Sequence, residues 1–303
     1  MSASAAISTR RERVLAHGAM LLYAALVAGS FSFGALAAPH IDASALTAAR
    51  FVLAAALMGT VLVAVTRRRP RMPTALWRFA VLGSLMGAFF VTMFVALRIT
   101  DPVSTSAVFT LIPLMSAVFG YVLLRQITRP VVAVSLVIAA TGALWVIFRG
   151  DVQRALAFEV GRGESIFLFG CACQAAYGPL VRLLNRGEAV LEFTFWTLVI
   201  ATLCVAVFSV QQIVGTDWRA LPTVVWYGLA YLTVFATAVS FFLLQFASLR
   251  LPAAKVFSYG YLIPGFVIIL ELALGHGGTN FSVAFGALIT VLALVVLVLS
   301  PDE

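Results

Sequence analysis

Lysine is nearly missing from this sequence, charge is thin, and no polar stretch is long enough to fold alone; each shortage closes a class of function. The one lysine, Lys255, is followed by Val256. There is therefore no G-x-x-x-x-G-K-[ST] phosphate loop, and the chain is expected to hydrolyse no ATP and to need no ATPase subunit. Three histidines, His17, His40 and His276, fall at the edges of apolar runs, and neither H-E-x-x-H nor G-x-S-x-G occurs. That argues against an intramembrane hydrolase, so no enzyme is expected. Potassium-filter T-V-G-Y-G and rings of charge are missing as well. Cys171, Cys173 and Cys204 lie inside apolar runs, and the first two face different directions on a helix. Neither a disulfide nor a metal centre is credible from them, and no cofactor is implied.

What is present is apolar. Hydrophobic residues make up 62% and charged ones 11%, against roughly 45 to 50% apolar in soluble domains. The chain reads as an all-α, polytopic membrane protein. Since a span needs about 20 apolar residues, ten spans are expected, at 17–39, 42–66, 74–97, 102–124, 130–148, 165–185, 189–212, 222–247, 252–274 and 280–300. The longest polar interruption, 149–164, reads as a solvated external loop with an amphipathic stretch through Val152, Leu156 and Phe158. Arg10, Arg11 and Arg13 precede the first span, but its apolar run is about twice a signal peptide's length, and it reads as a retained helix.

In a soluble protein the net charge of +8 would suggest nucleic acid. Here it tracks the membrane, and no nucleic-acid partner is expected. Around the ten spans, fourteen basic residues, among them Arg67, Arg68, Arg69, Arg71, Arg125, Arg182 and Lys255, fall on one side and five on the other. The positive-inside rule makes the richer side cytoplasmic and puts both termini there, which suits a bacterial-type inner membrane. The expected organisation is a cytoplasmic tail at 1–16, a first five-helix repeat at 17–148, the external loop at 149–164, a second repeat at 165–300 and a cytoplasmic end at 301–303.

The repeat is visible in the residues. Leu111-Ile112-Pro113 recurs as Leu262-Ile263-Pro264 at an offset of 151, and Ala96 recurs as Ala247. Earlier in each half, Phe33-Gly34-Ala35-Leu36 resembles Tyr177-Gly178-Pro179-Leu180, and Phe51 matches Phe195, both at 144. An odd number of helices per unit starts the second copy on the opposite side of the membrane, so the repeats must be inverted. Inverted repeats place a site near the midplane between the halves and permit alternating access. Each mid-span proline removes a donor and releases the carbonyl four residues back, at Phe109 for Pro113 and Gly260 for Pro264. Recurrence in both halves favours a shared mechanical role over a simple packing kink.

Individual side chains add candidates. Arg50 lies within the second span, about 12 Å of helix rise from Asp42; an intramembrane arginine is either functional, snorkelling outward or paired to a helix end. Gly83 and Gly87 form G-x-x-x-G, which permits close helix approach. Gln174 and Tyr177 share a helix face, open to ligand contact or to packing. Ser104, Thr105, Ser106, Thr110 and Ser116 crowd the fourth span, capped by Thr100 or Asp101 ahead of Pro102. Thr233, Thr237, Ser240 and Gln245 stripe the eighth; Ser258, Tyr259 and Tyr261 mark the ninth. Only Glu271 reads as a buried acid, so coupling through a midplane carboxylate is not favoured.

With this layout the chain resembles the EamA family of the drug/metabolite transporter superfamily. The likeness rests on Gly29-Ser30, Arg50-Phe51, Ala96-Leu97 and the two Leu-Ile-Pro triplets. It is most similar to the YddG-type exporters of aromatic and other neutral amino acids, through Gln174-Ala175-Ala176-Tyr177 and Ser258-Tyr259 ahead of Pro264. It departs from the family at Gln174, where a tryptophan is usual. A second departure is at Leu123-Leu124-Arg125 and Leu274-Gly275-His276, where Leu-Gly-Glu often follows each proline. The resemblance implies a secondary transporter in the lipid bilayer that exports small neutral metabolites, most simply amino acids. The expected substrate cavity is walled by spans 1, 3, 4, 6, 8 and 9, with Ser30, Phe90, Thr110, Gln174, Tyr177, Ser240, Gln245 and Tyr259 along it. The carbonyls released by the two prolines are candidate acceptors for a substrate ammonium, and Gln174 and Tyr177 candidate donors to its carboxylate. Two alternatives stay open: a relative moving a drug cation, nucleobase or sugar phosphate, and a non-transporting scaffold or receptor.

Overall fold

A computed structural model of the chain describes residues 10–127, 130–148, 151, 153, 160–248, 250, 251, 253–276, 285, 286, 288, 289, 291 and 292. Among the described residues all regular structure is helical: α1 (Arg10–Ala37), α2 (Ala43–Thr66), α3 (Trp77–Leu97), α4 (Pro102–Phe109), α5 (Ile112–Leu124) and α6 (Pro130–Ile147) come first. Then follow α7 (Arg162–Leu184), α8 (Val190–Phe208), the short α9 (Val210–Gly215), α10 (Thr223–Thr233), α11 (Ser240–Ser248), α12 (Ala253–Ser258) and α13 (Ile263–Ala273). A π-helix, Val234–Val239, joins α10 to α11, and a 3-10 turn, Tyr259–Leu262, joins α12 to α13. Helices suit these sequences because hydrocarbon offers no partner to a backbone N–H or C=O, and a helix satisfies both within the segment.

Among the described residues, eight stretches are long and apolar enough to cross a membrane: 11–37, 43–66, 77–97, 102–124, 162–184, 190–208, 223–247 and 255–273. The fifth expected span is a shorter apolar helix, 133–146, and most of the tenth lies outside the described residues, as does most of the 149–164 loop. The described residues thus hold eight of the expected spans at membrane length. α1 begins at Arg10 rather than at the first apolar residues, so its opening turns carry Arg11 and Arg13. Large apolar side chains such as Val52, Phe169, Phe208, Tyr227 and Ile269 stay exposed on the bundle's outside; in a bilayer these contact acyl chains.

Helix ends follow the local chemistry. Asp42 caps α2, accepting from the Ser44 N–H at 2.8 Å, and Asp101 caps α4 through the Ser104 N–H at 2.8 Å, ahead of Pro102. Glu164, expected in the loop, instead opens α7. It is buried there because Thr100 and Ser104 donate to it at 2.9 and 2.7 Å.

Packing pairs elements across the two halves. α3 lies along α7, as α1 lies along α10 and α11; α2 packs on α8. The expected glycine contact is intramolecular: a Cβ on Gly83 would come within 2.8 Å of the Ala201 backbone, and one on Gly87 within 2.7 Å of Val205. Gly29 leaves the space in which Tyr231 crosses α1 to donate to the Leu26 carbonyl. In the broken helices, α4 packs on α13 and α5 on α12, so these two spans run antiparallel. They cross at their breaks, where the Phe109 ring faces Gly260, the residue 151 positions later.

Candidate substrate site

At mid-depth the helices enclose a small cavity lined by Tyr23, Val27 and Ser30 of α1, Phe89, Phe90 and Met93 of α3, Phe109 of α4, Gln174 of α7, Ala236 of the π-helix, and Ser240 and Phe241 of α11. Its free volume is about 20 Å³, room for about one water. A larger solute enters only if the walls part. Two polar atoms on this wall have no hydrogen-bond partner, the Ser30 hydroxyl and the Gln174 Oε1, although both residues are buried. Leaving a buried polar group unpaired costs about 1–3 kcal/mol, so these atoms are poised to bond something that visits.

Aromatic contacts lie toward both ends of the helices around the cavity. Phe31, Phe109, Phe89 and Phe167 form a closed ring, with successive centroids at 5.9, 6.0, 5.5 and 6.1 Å. By chain position these four lie toward the helix ends near Ala37, Leu97, Pro102 and Arg162. Toward the opposite, arginine-rich ends, Phe241 meets Tyr177 edge-on at 6.4 Å, and the Tyr259 hydroxyl bonds His17 Nδ1 at 2.8 Å.

Of the residues expected to share one site, Ser30, Phe90, Gln174 and Ser240 come together on this wall, and Tyr177 stands behind Phe241. Ser240 is turned to its own helix, donating to the Ala236 carbonyl at 2.9 Å. The other three lie elsewhere. Thr110 is buried at the α4–α5 break, its hydroxyl donating to Ala107 O at 2.6 Å. Gln245 is buried one turn beyond the lining residue Phe241, and Tyr259 is held by His17. No lining residue comes from α12 or α13, so the ninth span does not wall the cavity in this conformation. Tyr23 and Val27 were not expected at the site; they stand seven and three positions before Ser30 on the same helix face. Projection of α1 from Ser30 would have found them.

The prolines sit where the helices restart. Pro113 is in the first turn of α5 and Pro264 in the first turn of α13. The two breaks differ: Thr110 and Leu111 interrupt the first, whereas four residues of 3-10 turn bridge the second, where the Ile263 N–H donates to the Gly260 carbonyl. That carbonyl has therefore one lone pair already engaged.

The charged candidates part company. Arg50 is fully buried and directed at the π-helix, where Nε donates to Thr237 Oγ1 at 2.9 Å and Nη2 to Thr237 Oγ1 at 2.6 Å and Ala236 O at 3.2 Å. Its Cζ lies 4.0 Å from the Phe90 ring centroid, a cation–π contact. Snorkelling is thereby excluded. Glu271 is far from this cluster at the end of α13, where it bonds His276 Nδ1 at 2.8 Å. No His, Cys, Asp or Glu cluster able to hold a metal occurs among the described residues. On the arginine-rich side, Arg78 is buried and donates to Glu188 at 2.7 Å and Thr74 O at 2.9 Å.

The helices thus enclose a small, mostly apolar pocket whose wall carries two unpartnered polar atoms, and known proteins resemble this chain. The model of the EamA-like transporter family matches residues 15–148 and 161–299. The chain is 24% identical over 277 residues to "Uncharacterized transporter YyaM" of Bacillus subtilis (strain 168), covering 91% of this chain and 90% of that one. A solved crystal structure of a protein 18% identical superposes with a TM-score of 0.70 over 96% of this chain and 98% of the other, which shows a shared fold. This helical membrane protein belongs to the EamA-like transporter family.

Proposed function

We propose that the chain exports small neutral metabolites, amino acids above all, from the cytoplasm by alternating access, with its termini and arginine-rich face cytoplasmic. The observation that carries this reading is the occluded cavity in which Ser30 and Gln174 present unpartnered polar atoms amid aromatic walls. A mostly apolar wall with few polar anchors suits solutes whose side chains vary. The antiparallel crossing of the two broken spans supports two inverted halves at 17–148 and 165–300, and so does the meeting of Phe109 with Gly260. In such a pair each half takes up in turn the conformation of the other. The Phe31–Phe109–Phe89–Phe167 ring then acts as the outer barrier, and Tyr177–Phe241 with His17–Tyr259 as the inner one.

The substrate assignment follows the YddG-type likeness and is tested by transport. Proteoliposomes loaded with labelled threonine, methionine and phenylalanine are expected to release at least one faster than protein-free vesicles. Equal release of all three would remove the amino-acid assignment.

A further inference from the structure

Arg50 carries a charge that nothing among the described residues neutralises. Its acceptors are a hydroxyl and backbone carbonyls, and its Nη1 has no acceptor at all. Acids at the span ends are committed elsewhere: Glu164 to Thr100 and Ser104, Glu188 to Arg78, Glu271 to His276, and Asp42 and Asp101 to helix caps. A cation held in hydrocarbon without an anion is expensive and marks solute pathways.

The repeat itself does not require this charge. Position 194 matches position 50 at the 144 offset, and there Thr194 bonds its own helix, donating to Val190 O at 2.8 Å. The π-helix that receives Arg50 likewise occurs only in the second half, since the matching stretch of α3 is regular.

Position connects the charge to the cavity. Phe90 covers the guanidinium and also lines the cavity; Ala236, which accepts from Nη2, lines it too. Arg50 therefore stands one side chain behind the wall on which Ser30 and Gln174 lie. We infer that the solute bears an anionic group, a carboxylate or similar oxyanion, and that Arg50 is its counter-charge, reached when Phe90 swings aside. The guanidinium fork suits such planar oxyanions. This rests on reading the cavity as the transport site, and narrows it: the anion meets Arg50, while Ser30 and Gln174 bond the remainder.

The test is thermal melting of the purified full chain in detergent with matched probes: threonine, methionine, phenylalanine and 3-phenylpropionate, each against its amide. At least one acid is expected to raise the melting temperature where its amide does not. Arg50→Gln should need about ten- to a hundredfold more acid for the same shift, with Arg50→Lys intermediate. Amides stabilising as well as acids would overturn the inference, as would a shift that survives in Arg50→Gln or four acids without effect. If 3-phenylpropionate stabilises and the amino acids do not, the amino-acid reading falls and the Arg50 assignment stands. Should Arg50→Gln fail to fold, the wild-type comparison of acid with amide decides alone.

Discussion

Single side chains divide into those that hold the bundle and those that wait for something else. Gln174 is of the second kind. Its buried Oε1 has no partner, so Gln174→Leu is expected to leave melting unchanged or raise it by the equivalent of about 1 kcal/mol, while transport falls about tenfold or more. Lower stability together with unaltered transport would make it a packing residue instead. Glu188 is of the first kind. Partial burial pushes its carboxyl up, but bonds from Arg78 and from the Arg186 N–H outweigh this and hold it below the usual carboxylate range. A carboxyl lowered by folding adds stability that is complete above its unfolded value and lost as pH falls through the folded one. The melting difference between wild type and Glu188→Gln should therefore be about 1 kcal/mol at neutral pH and close in acid; a gap that widens in acid would contradict the pairing. Much of this was hidden in the sequence. Composition placed Arg50 in the membrane, but its partners depend on a π-helix that begins 184 residues later, and no local pattern announces a π-helix there. Glu164 was misplaced for a similar reason, because the hydroxyls that bury it belong to another span.

Elements carry the mechanics. The recurring Leu-Ile-Pro triplets marked both breaks in advance, since a proline cannot donate within a helix wherever the chain places it. Which residues form each break was not legible: two turn residues in one half and a 3-10 turn in the other reflect packing against different neighbours. Pro113→Ala and Pro264→Ala are expected to slow solute release with little change in the yield or melting of folded protein, because they restore a donor and let the helix run through. Unaltered rates in both would reduce the prolines to kinks. G-x-x-x-G was legible as a close approach, and the structure supplies the partner. Gly83→Val should destabilise by about 1–3 kcal/mol, since the added atoms meet the Ala201 backbone, and Gly18→Val, at a glycine with open space around it, should cost less. Similar losses at both positions in a melting comparison would argue against the α3–α8 contact.

For the whole molecule, hydrophobic composition and the spacing of arginines made the fold class readable, and an odd-numbered repeat made inversion the natural expectation. What sequence could not supply was the state of the cavity: beside it four phenylalanines from four helices meet in one ring, a long-range event with no local signature. Alternating access requires that this buried wall become reachable from either face, one face at a time. The most direct measurement is aqueous thiol labelling of Gln174→Cys, with the three native cysteines replaced, in membrane vesicles of both orientations. Labelling from both faces is predicted, and a disulfide between Phe31→Cys and Phe109→Cys should block it from the outer face while leaving the arginine-rich face open. Labelling from neither face, or from both with that disulfide in place, would contradict alternating access around this cavity.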